Sequence, residues 1–143
     1  MKQLLAIAVL TVFAGAAGGG EKRIIYPPEF RPGMPFSPGV QFGDTLYCAG
    51  QTGSDPQTGE YPESFEQEVH QTFRRIGIIL QAAGYEFSDA VDAKVYLTDI
   101  SLFQDMNSVY TQYFQENPPA RTTVAVASLV GKARIEITVT ARK

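Results

Sequence analysis

Residues 64–97 read SFEQEVHQTFRRIGIILQAAGYEFSDAVDAKVYL, a helical pattern followed by a strand pattern. Ser64 and Gln67 form a capping-box pattern, in which each side chain can satisfy a free backbone N–H of the first turn. Gly84 is a typical helix stop. Between them, apolar residues recur every three or four positions and predict one buried helix face: Phe65, Val69, Phe73, Ile76 and Leu80. Residues 90–97 alternate instead, which predicts a half-buried strand with Val91, Ala93, Val95 and Leu97 on its inner face.

The chain before this stretch predicts short strands. Gly43-Asp44 separates two apolar runs, residues 40–42 and 45–49, in the pattern of a β-hairpin. Residues 17–34 are rich in Pro and Gly and are typical of irregular chain, with a short edge strand at residues 23–26.

The chain after this stretch predicts one more helix and two more strands. The helix begins near Ser101 and ends before Pro118. Residues 122–127 and 134–141 then predict strands joined by a loop around Gly131. The order ββαβαββ favours an α+β fold in which two helices cover one face of a sheet.

Such a layer leaves the other face of the sheet uncovered. The last two strands supply apolar side chains that we expect to contribute to that face: Val124, Val126, Ile135, Ile137 and Val139. Exposed apolar patches of this kind usually mark interfaces, so the pattern predicts an oligomer.

The first residues differ from the rest of the chain. Lys2 precedes an almost wholly apolar run from Leu4 to Ala17, which is too short to cross a bilayer. The small residues Ala14-Gly15-Ala16 predict a signal peptide of residues 1–16, cleaved before Ala17, and therefore an exported protein without a membrane anchor.

Charge and residue counts exclude several function classes. Without residues 1–16 the chain has 11 basic and 15 acidic residues, a net charge of −4, which does not favour nucleic acid. The single cysteine, Cys48, lies in an apolar run and is expected to be buried. The single histidine, His70, has no partner at metal-ligand spacing, so no metal site is predicted.

Several motifs in the same order resemble those of the RidA/YjgF family. The resemblance covers residues 35–143, which we take as the domain. Its motifs are Pro35-Phe36-Ser37, the strand ending Ala49-Gly50-Gln51, the loop of residues 55–60, Gln81-Ala82-Ala83-Gly84 with residues 91–99, Asn117-Pro118-Pro119-Ala120-Arg121-Thr122-Thr123-Val124, and Ile135-Glu136-Ile137.

The resemblance implies a chorismate-mutase-like fold and a homotrimer with active sites between subunits. The implied reaction is the hydrolysis of 2-iminopropanoate or 2-iminobutanoate to a 2-oxo acid and ammonia, without a cofactor. The implied catalytic residues are Arg121 and Glu136. The residues implied to bind substrate are Phe36, Ala49, Gly50, Thr123 and Asn107.

The residue types fit this chemistry. A guanidinium such as that of Arg121 can clamp a carboxylate through two parallel hydrogen bonds, although by spacing alone it could be an ordinary surface arginine. Glu136 could position or activate water, or it could be a solvated residue of an alternating strand. If the last two strands form a simple hairpin, Glu136 shares a face with Arg121 only when the loop has an even number of residues.

Gly50 is expected to act as backbone, because its missing Cβ lets a ligand or a neighbouring chain approach, although it could also simply close the strand. Thr123 lies on the same strand face as Arg121. Asn107 and Tyr110 lie on the second predicted helix, where a core or helix-face role is favoured over ligand contact. Three positions depart from the family's usual residues: Phe36 replaces Tyr, Ala49 replaces Ser and Thr123 replaces Cys, which removes two hydroxyl groups.

Other functions remain open at this stage. An exported protein could use the same cleft to bind a small carboxylate ligand without catalysis. The endoribonuclease activity sometimes attached to the family would need a basic groove and an acid–base pair, which this composition does not favour. A chaperone role would depend only on the apolar strand face, which trimerisation explains better.

Overall fold

The computed structural model describes residues 20–143, so the predicted signal peptide lies outside the described residues. The two helices are α1 (Phe65–Ala83) and α2 (Phe103–Tyr113). The strands are β1 (Lys22–Ile25), β2 (Gly39–Phe42), β3 (Thr45–Cys48), β4 (Gln51–Thr52), β5 (Ala90–Leu97), β6 (Ala120–Ala125) and β7 (Ile135–Arg142). The α+β class is confirmed. No helix of the described chain is long and apolar enough to cross a membrane.

One mixed sheet runs through the molecule in the order β1-β2-β3-β7-β5-β6, with β4 continuing along β7 beyond β3. All pairs are antiparallel except β5 and β6, which are parallel. The predicted β2–β3 hairpin around Gly43-Asp44 is confirmed. The hairpin expected for the last two strands is wrong, because β5 lies between β6 and β7. Helix α2 lies in the connection between β5 and β6. Because this connection crosses over the face of the sheet, β6 can pair with β5 as a parallel strand.

The ends of α1 follow the sequence signals. The Ser64 side chain accepts a hydrogen bond from the Gln67 backbone N–H, and Gly84 caps the last turn with a left-handed φ of 81°. All five residues of the predicted apolar face of α1 are buried. The cap and the periodicity agree because both are local properties of the chain.

The inner faces of β5 and β7 form the floor of the core. Ile135, Ile137 and Val139 are at most 1% exposed, because they point towards the helices. The expectation that they lie on the uncovered face is therefore wrong. The prediction that Val91 lies on the inner face of its strand is also wrong. A register shift between Ala90 and Asp92 turns its side chain outward, and it is 48% exposed.

The uncovered face of the sheet is mixed in character. It carries Glu136, Thr138 and Thr140 of β7, together with large exposed side chains of other strands, Tyr47 and Val124. The predicted trimer therefore cannot be argued from the isoleucines of β7. It remains a prediction from the resemblance and from these exposed side chains.

A β-bulge separates β3 from β4. Tyr47 lies opposite Thr140, whereas Gln51 lies opposite Ile137, so β3–β4 has one more residue than β7 between these pairs. The extra residue falls at Ala49-Gly50. Cys48, just before the bulge, is buried as predicted, and burial raises the pKa of its thiol to about 12.

A buried ion pair holds the start of β7 against α1. The Glu68 carboxylate is fully buried and accepts hydrogen bonds from the Arg134 Nε at 2.6 Å and from the Arg134 backbone N–H at 2.8 Å. Removing one partner of such a pair leaves a buried charge unpaired. The pair thus fixes Arg134, which directly precedes β7 and lies two residues before Glu136.

Candidate active site

Arg121 lies on β6 and points towards the helices. It is opposite Ala93 of β5, which is fully buried on the helix side of the sheet. The Arg121 Nη1 donates a hydrogen bond of 2.8 Å to the Asn107 Oδ1. The guanidinium carbon lies 4.4 Å from the ring centroid of Tyr110 and 5.6 Å from that of Phe103. Arg121 is therefore held by three side chains of α2.

Helical periodicity explains why these three side chains contact Arg121. Phe103, Asn107 and Tyr110 stand at positions i, i+4 and i+7 of α2 and so share one face. The crossover that makes β6 parallel to β5 also sets α2 beside β6. A guanidinium over an aromatic ring is stabilised by the ring's negative face.

Two buried hydroxyl groups near this arginine have no hydrogen-bond partner among residues 20–143: those of Tyr110 and Thr123. Thr123 lies two residues after Arg121 on the same strand face, as predicted. Burial raises the pKa of Tyr110, while the nearby Arg121 acts to lower it. Most of the five guanidinium N–H groups of Arg121 are free of side-chain acceptors in this arrangement. We call Arg121, Asn107, Tyr110, Phe103 and Thr123 the arginine edge.

Glu136 lies on β7 and points to the opposite face of the sheet. Its strand neighbours Ile135 and Ile137 face the helices, and Glu136 is half-buried on the other side. No Lys, Arg or His nitrogen of the described chain lies within 4 Å of its carboxylate. The acid is thus not neutralised by an ion pair within its own subunit.

The Glu136 side chain lies across Gly50. A Cβ added to Gly50 would overlap the Glu136 carboxylate. We expected this glycine to admit a ligand or a neighbouring chain. In the structure, the space that it leaves is filled by Glu136 of the same chain, and the bulge at Ala49-Gly50 places the two side by side.

A cavity of about 270 Å³ opens beside this pair, and its walls include Phe36, Gly50, Gln51, Arg75 and Glu136. Phe36 is 52% exposed, so its ring stands at the rim. Ala49 lies beside the cavity without lining it. Its N–H donates to the Pro38 carbonyl at 2.8 Å, and its carbonyl accepts from the Gln51 Nε2 at 3.0 Å. We call this group the glutamate cavity.

The structure therefore divides the predicted site residues into two groups. Arg121, Thr123 and Asn107 lie together at the arginine edge, whereas Phe36, Gly50 and Glu136 lie together at the glutamate cavity. Arg121 and Glu136 point to opposite faces of the sheet, and the expected hairpin in which they could share a face is wrong because β5 lies between their strands. One group offers a cation for a carboxylate, and the other offers a base for water.

Two residues of these groups, Phe103 and Arg75, were not singled out from the sequence, and Tyr110 was given a core or helix-face role rather than a place in the site. Phe103 and Tyr110 share the helix face of Asn107, so the 3.6-residue period could have grouped them with it. Arg75 lines the glutamate cavity although it belongs to α1. No local pattern indicates that contact, because it depends on how α1 packs over the bulge.

Comparisons with known proteins agree with this architecture. The family model described as endoribonuclease L-PSP matches residues 28–143. The RutC family protein SSO3206 of Saccharolobus solfataricus is 44% identical over 124 residues, which cover 85% of this chain and 98% of that protein. The 2-iminobutanoate/2-iminopropanoate deaminase of Bos taurus is 43% identical over 104 residues, covering 72% and 76%. The crystal structure of E. coli TdcF with bound serine has a TM-score of 0.79 at 30% identity, covering 85% and 98%.

Proposed function

Because the chain belongs to the RidA/YjgF family, the family of the matching endoribonuclease L-PSP model, we propose that it hydrolyses 2-imino acids to 2-oxo acids and ammonia. The expected substrates are of the 2-iminopropanoate and 2-iminobutanoate type. The observation that carries the proposal is that the chain presents both an incompletely bonded guanidinium, at the arginine edge, and an unneutralised carboxylate, at the glutamate cavity.

The reaction assigns a task to each group. Arg121 holds the substrate carboxylate through its free N–H groups. Glu136 accepts a proton as water adds to the C=N carbon, and it returns a proton to the nitrogen as the C–N bond breaks. One C=N bond and one water become one C=O bond and one ammonia. No cofactor is required for this balance.

Both groups can act on one substrate only if they come from different subunits. Within one chain, the sheet lies between Arg121 and Glu136. The site is therefore proposed to form between subunits of a homotrimer, with the arginine edge of one subunit against the glutamate cavity of the next. The free N–H groups of Arg121 and the carboxylate of Glu136 support this placement, because neither has an oppositely charged partner within 4 Å among the described residues of its own subunit.

Two relatives support the substrate class. The Bos taurus relative carries the deaminase name, and TdcF was crystallised with serine, a free amino acid with the same α-carboxylate. Phe36, Ala49 and Thr123 differ from the residues usual in family deaminases. We therefore expect the carboxylate clamp to persist and the preference for the substrate side chain to differ.

The ribonuclease activity in the name of the family model is not proposed. The whole chain has a net charge of −3 and one histidine. The Nδ1 of that histidine, His70, lies 2.9 Å from the Tyr113 hydroxyl between α1 and α2, and His70 does not line the glutamate cavity. Phosphate binding is driven mainly by clustered Lys and Arg, which neither group provides.

The direct test is an imine-hydrolysis assay. An amino acid oxidase generates imines from a panel of amino acids, and 2-oxo acid formation is followed with and without the protein. Acceleration that depends on Arg121 supports the proposal. A rate equal to that of spontaneous hydrolysis for every imine contradicts it.

A mixing experiment tests whether the site is shared. Arg121→Ala and Glu136→Gln chains, each expected to be inactive, are unfolded together and refolded in equal amounts. In a trimer with one site per interface, random assembly restores roughly one quarter of the sites. Each variant refolded alone is the control. No recovery from a mixture that is shown to contain mixed trimers contradicts a site between subunits.

A further inference from the structure

Arg75 gives the glutamate cavity a second charged group that the proposed reaction does not use. It projects from α1, and its Nε donates a hydrogen bond of 3.1 Å to the Gln51 Oε1. Its Nη1 donates to the Ser54 carbonyl at 3.3 Å, and its guanidinium carbon lies 5.1 Å from the Phe30 ring centroid. Arg75 lines the same cavity as Glu136.

The guanidinium of Arg75 is not neutralised by a neighbouring acid. No Asp or Glu carboxylate of the described chain lies within 4 Å of it, although the group is partly buried. Burial lowers the pKa of Arg75, and the nearby Tyr61 and Asp55 act against that shift. The Asp55 carboxylate already accepts hydrogen bonds of 2.8 Å from the backbone N–H groups of Gln57 and Thr58. Arg75 therefore has no ion-pair partner among the described residues.

Gln51 holds this charge in one orientation. Gln51 is only 2% exposed, and its amide nitrogen donates to the Ala49 carbonyl, which leaves the amide oxygen for Arg75. An arginine has five N–H donors in a planar fork, of which these contacts use two. The remaining N–H groups are enough for a bidentate bond to one carboxylate.

We propose that Arg75 is a specificity-determining residue that selects substrates with a second carboxylate, namely the imines of dicarboxylic amino acids. This inference depends on the proposed imine hydrolysis at the same site. Each substrate carboxylate then has its own guanidinium: Arg121 of one subunit holds the α-carboxylate, Arg75 of the next holds the side-chain carboxylate, and Glu136 acts between them. A substrate with a short apolar side chain would leave Arg75 without a counter-charge.

The space around Arg75 fits a longer substrate. The glutamate cavity adjoins a second cavity of about 430 Å³, and Phe30, Met34, Arg75 and Val130 line both. Arg75 thus stands at the boundary between the two spaces. A short apolar side chain offers Arg75 no acceptor, whereas a side chain that ends in a carboxylate does.

The test compares two imines on matched variants. The oxidase-coupled assay gives kcat/KM for the imines of aspartate and alanine with the wild-type protein, Arg75→Gln and Arg75→Lys. Loss of a charge-assisted bidentate contact should lower kcat/KM for the aspartate imine by roughly 30- to 100-fold in Arg75→Gln. The alanine imine should change by less than about twofold. Arg75→Lys should recover part of the preference, because it keeps the charge but not the fork.

Arg74 supplies a matched control. It is the next residue of α1 and is exposed, so Arg74→Gln makes the same charge change outside the cavity and should leave both rates unchanged. Equal losses for both imines in Arg75→Gln would show that Arg75 is structural and would overturn the proposal. A wild-type protein that prefers the alanine imine would also overturn it.

A binding measurement separates this inference from the proposed function. Calorimetry compares the wild-type protein and Arg75→Gln for binding of 2-oxoglutarate and 2-oxobutanoate. Tighter binding of 2-oxoglutarate that depends on Arg75 supports dicarboxylate selection even if no imine is hydrolysed. Failure of wild type to prefer 2-oxoglutarate contradicts the selection, even if simple imines are hydrolysed.

Discussion

The arginine edge and the glutamate cavity present their charged groups, Arg121 and Glu136, on opposite faces of one sheet and are built in different ways. At the arginine edge, a cation is held by an amide and two aromatic rings of α2, beside two hydroxyl groups without partners. At the glutamate cavity, an acid with no cation within 4 Å lies across a glycine in a bulge. Each group has what the other lacks, which is why the proposed site combines the two groups from neighbouring subunits.

The largest effect is expected at the glutamate cavity. Glu136→Gln keeps the size of the side chain but removes the base, and general acid–base groups typically contribute 10²–10⁴-fold. We therefore expect kcat to fall by about 100-fold or more, with a smaller change in the binding of a 2-oxo acid. Steady-state kinetics and calorimetry measure the two effects. Unchanged kcat would show that Glu136 is only a solvated strand residue.

Arg121→Ala tests the arginine edge. Losing a charge-assisted bidentate contact should cost about 2–3 kcal/mol, or roughly two decades in kcat/KM. Arg121→Lys should recover only part of this, because a point charge cannot reproduce the planar fork. Arg142→Ala removes an exposed arginine that pairs with Asp44 and serves as the control. Wild-type rates, or simple unfolding, for Arg121→Ala would assign this arginine a structural role.

Gly50→Ala should have a smaller effect at the glutamate cavity. The added methyl group would overlap the Glu136 carboxylate and force it to move, and misplacing a catalytic group costs up to about 100-fold. We expect a loss of about tenfold in kcat, because the Glu136 side chain can adapt. Gly77→Ala is the matched control, since its Cβ would meet only the Phe87 ring at 3.5 Å. Equal activity of the two variants would show that the Gly50 contact is unimportant.

The smallest effect is expected on the pKa of Tyr110 at the arginine edge. The positive charge of Arg121 favours the ionised form of Tyr110, so Arg121→Ala should raise the pKa of Tyr110 further above its ordinary value. Ultraviolet difference titration, with Tyr110→Phe to identify the signal, measures the shift. A lower pKa in Arg121→Ala would contradict the stacking of these two side chains.

The same pKa has a consequence for stability. Because burial raises the pKa of Tyr110 in the folded state, its contribution to stability is complete below the pKa of the unfolded chain. That contribution is lost as pH rises through the folded pKa. As the pH rises into the alkaline range, the free energy of unfolding should therefore fall less in Tyr110→Phe than in the wild-type protein.

Local sequence patterns predicted several of the elements that position the two groups. The capped helix ending at Gly84, the β2–β3 hairpin and the placement of Arg121 and Thr123 on one strand face are confirmed. These features depend on neighbours within a few positions, so periodicity and capping can identify them. The family resemblance named both groups, but it did not separate them within one subunit.

The errors arose where pairing joins distant parts of the chain. Val91 was placed inward by alternation, and a register shift in β5 turns it outward. Ile135 and Ile137 were placed on the uncovered face, although β7 lies near the centre of the sheet and buries them under the helices. An alternating pattern shows that a strand has two faces, but it does not show which face the helices cover.

The sequence by itself determined the α+β class, the helix ends and the chemical groups available for catalysis, because capping, periodicity and side-chain chemistry are properties of short segments. Only the tertiary structure decided that β5 separates β6 from β7, that Glu136 lies across Gly50, and that Arg75 of α1 reaches the same cavity. These three features depend on which strands pair and on where α1 packs over the sheet. Those choices are settled by burial of the whole core, to which residues far apart in the chain contribute together.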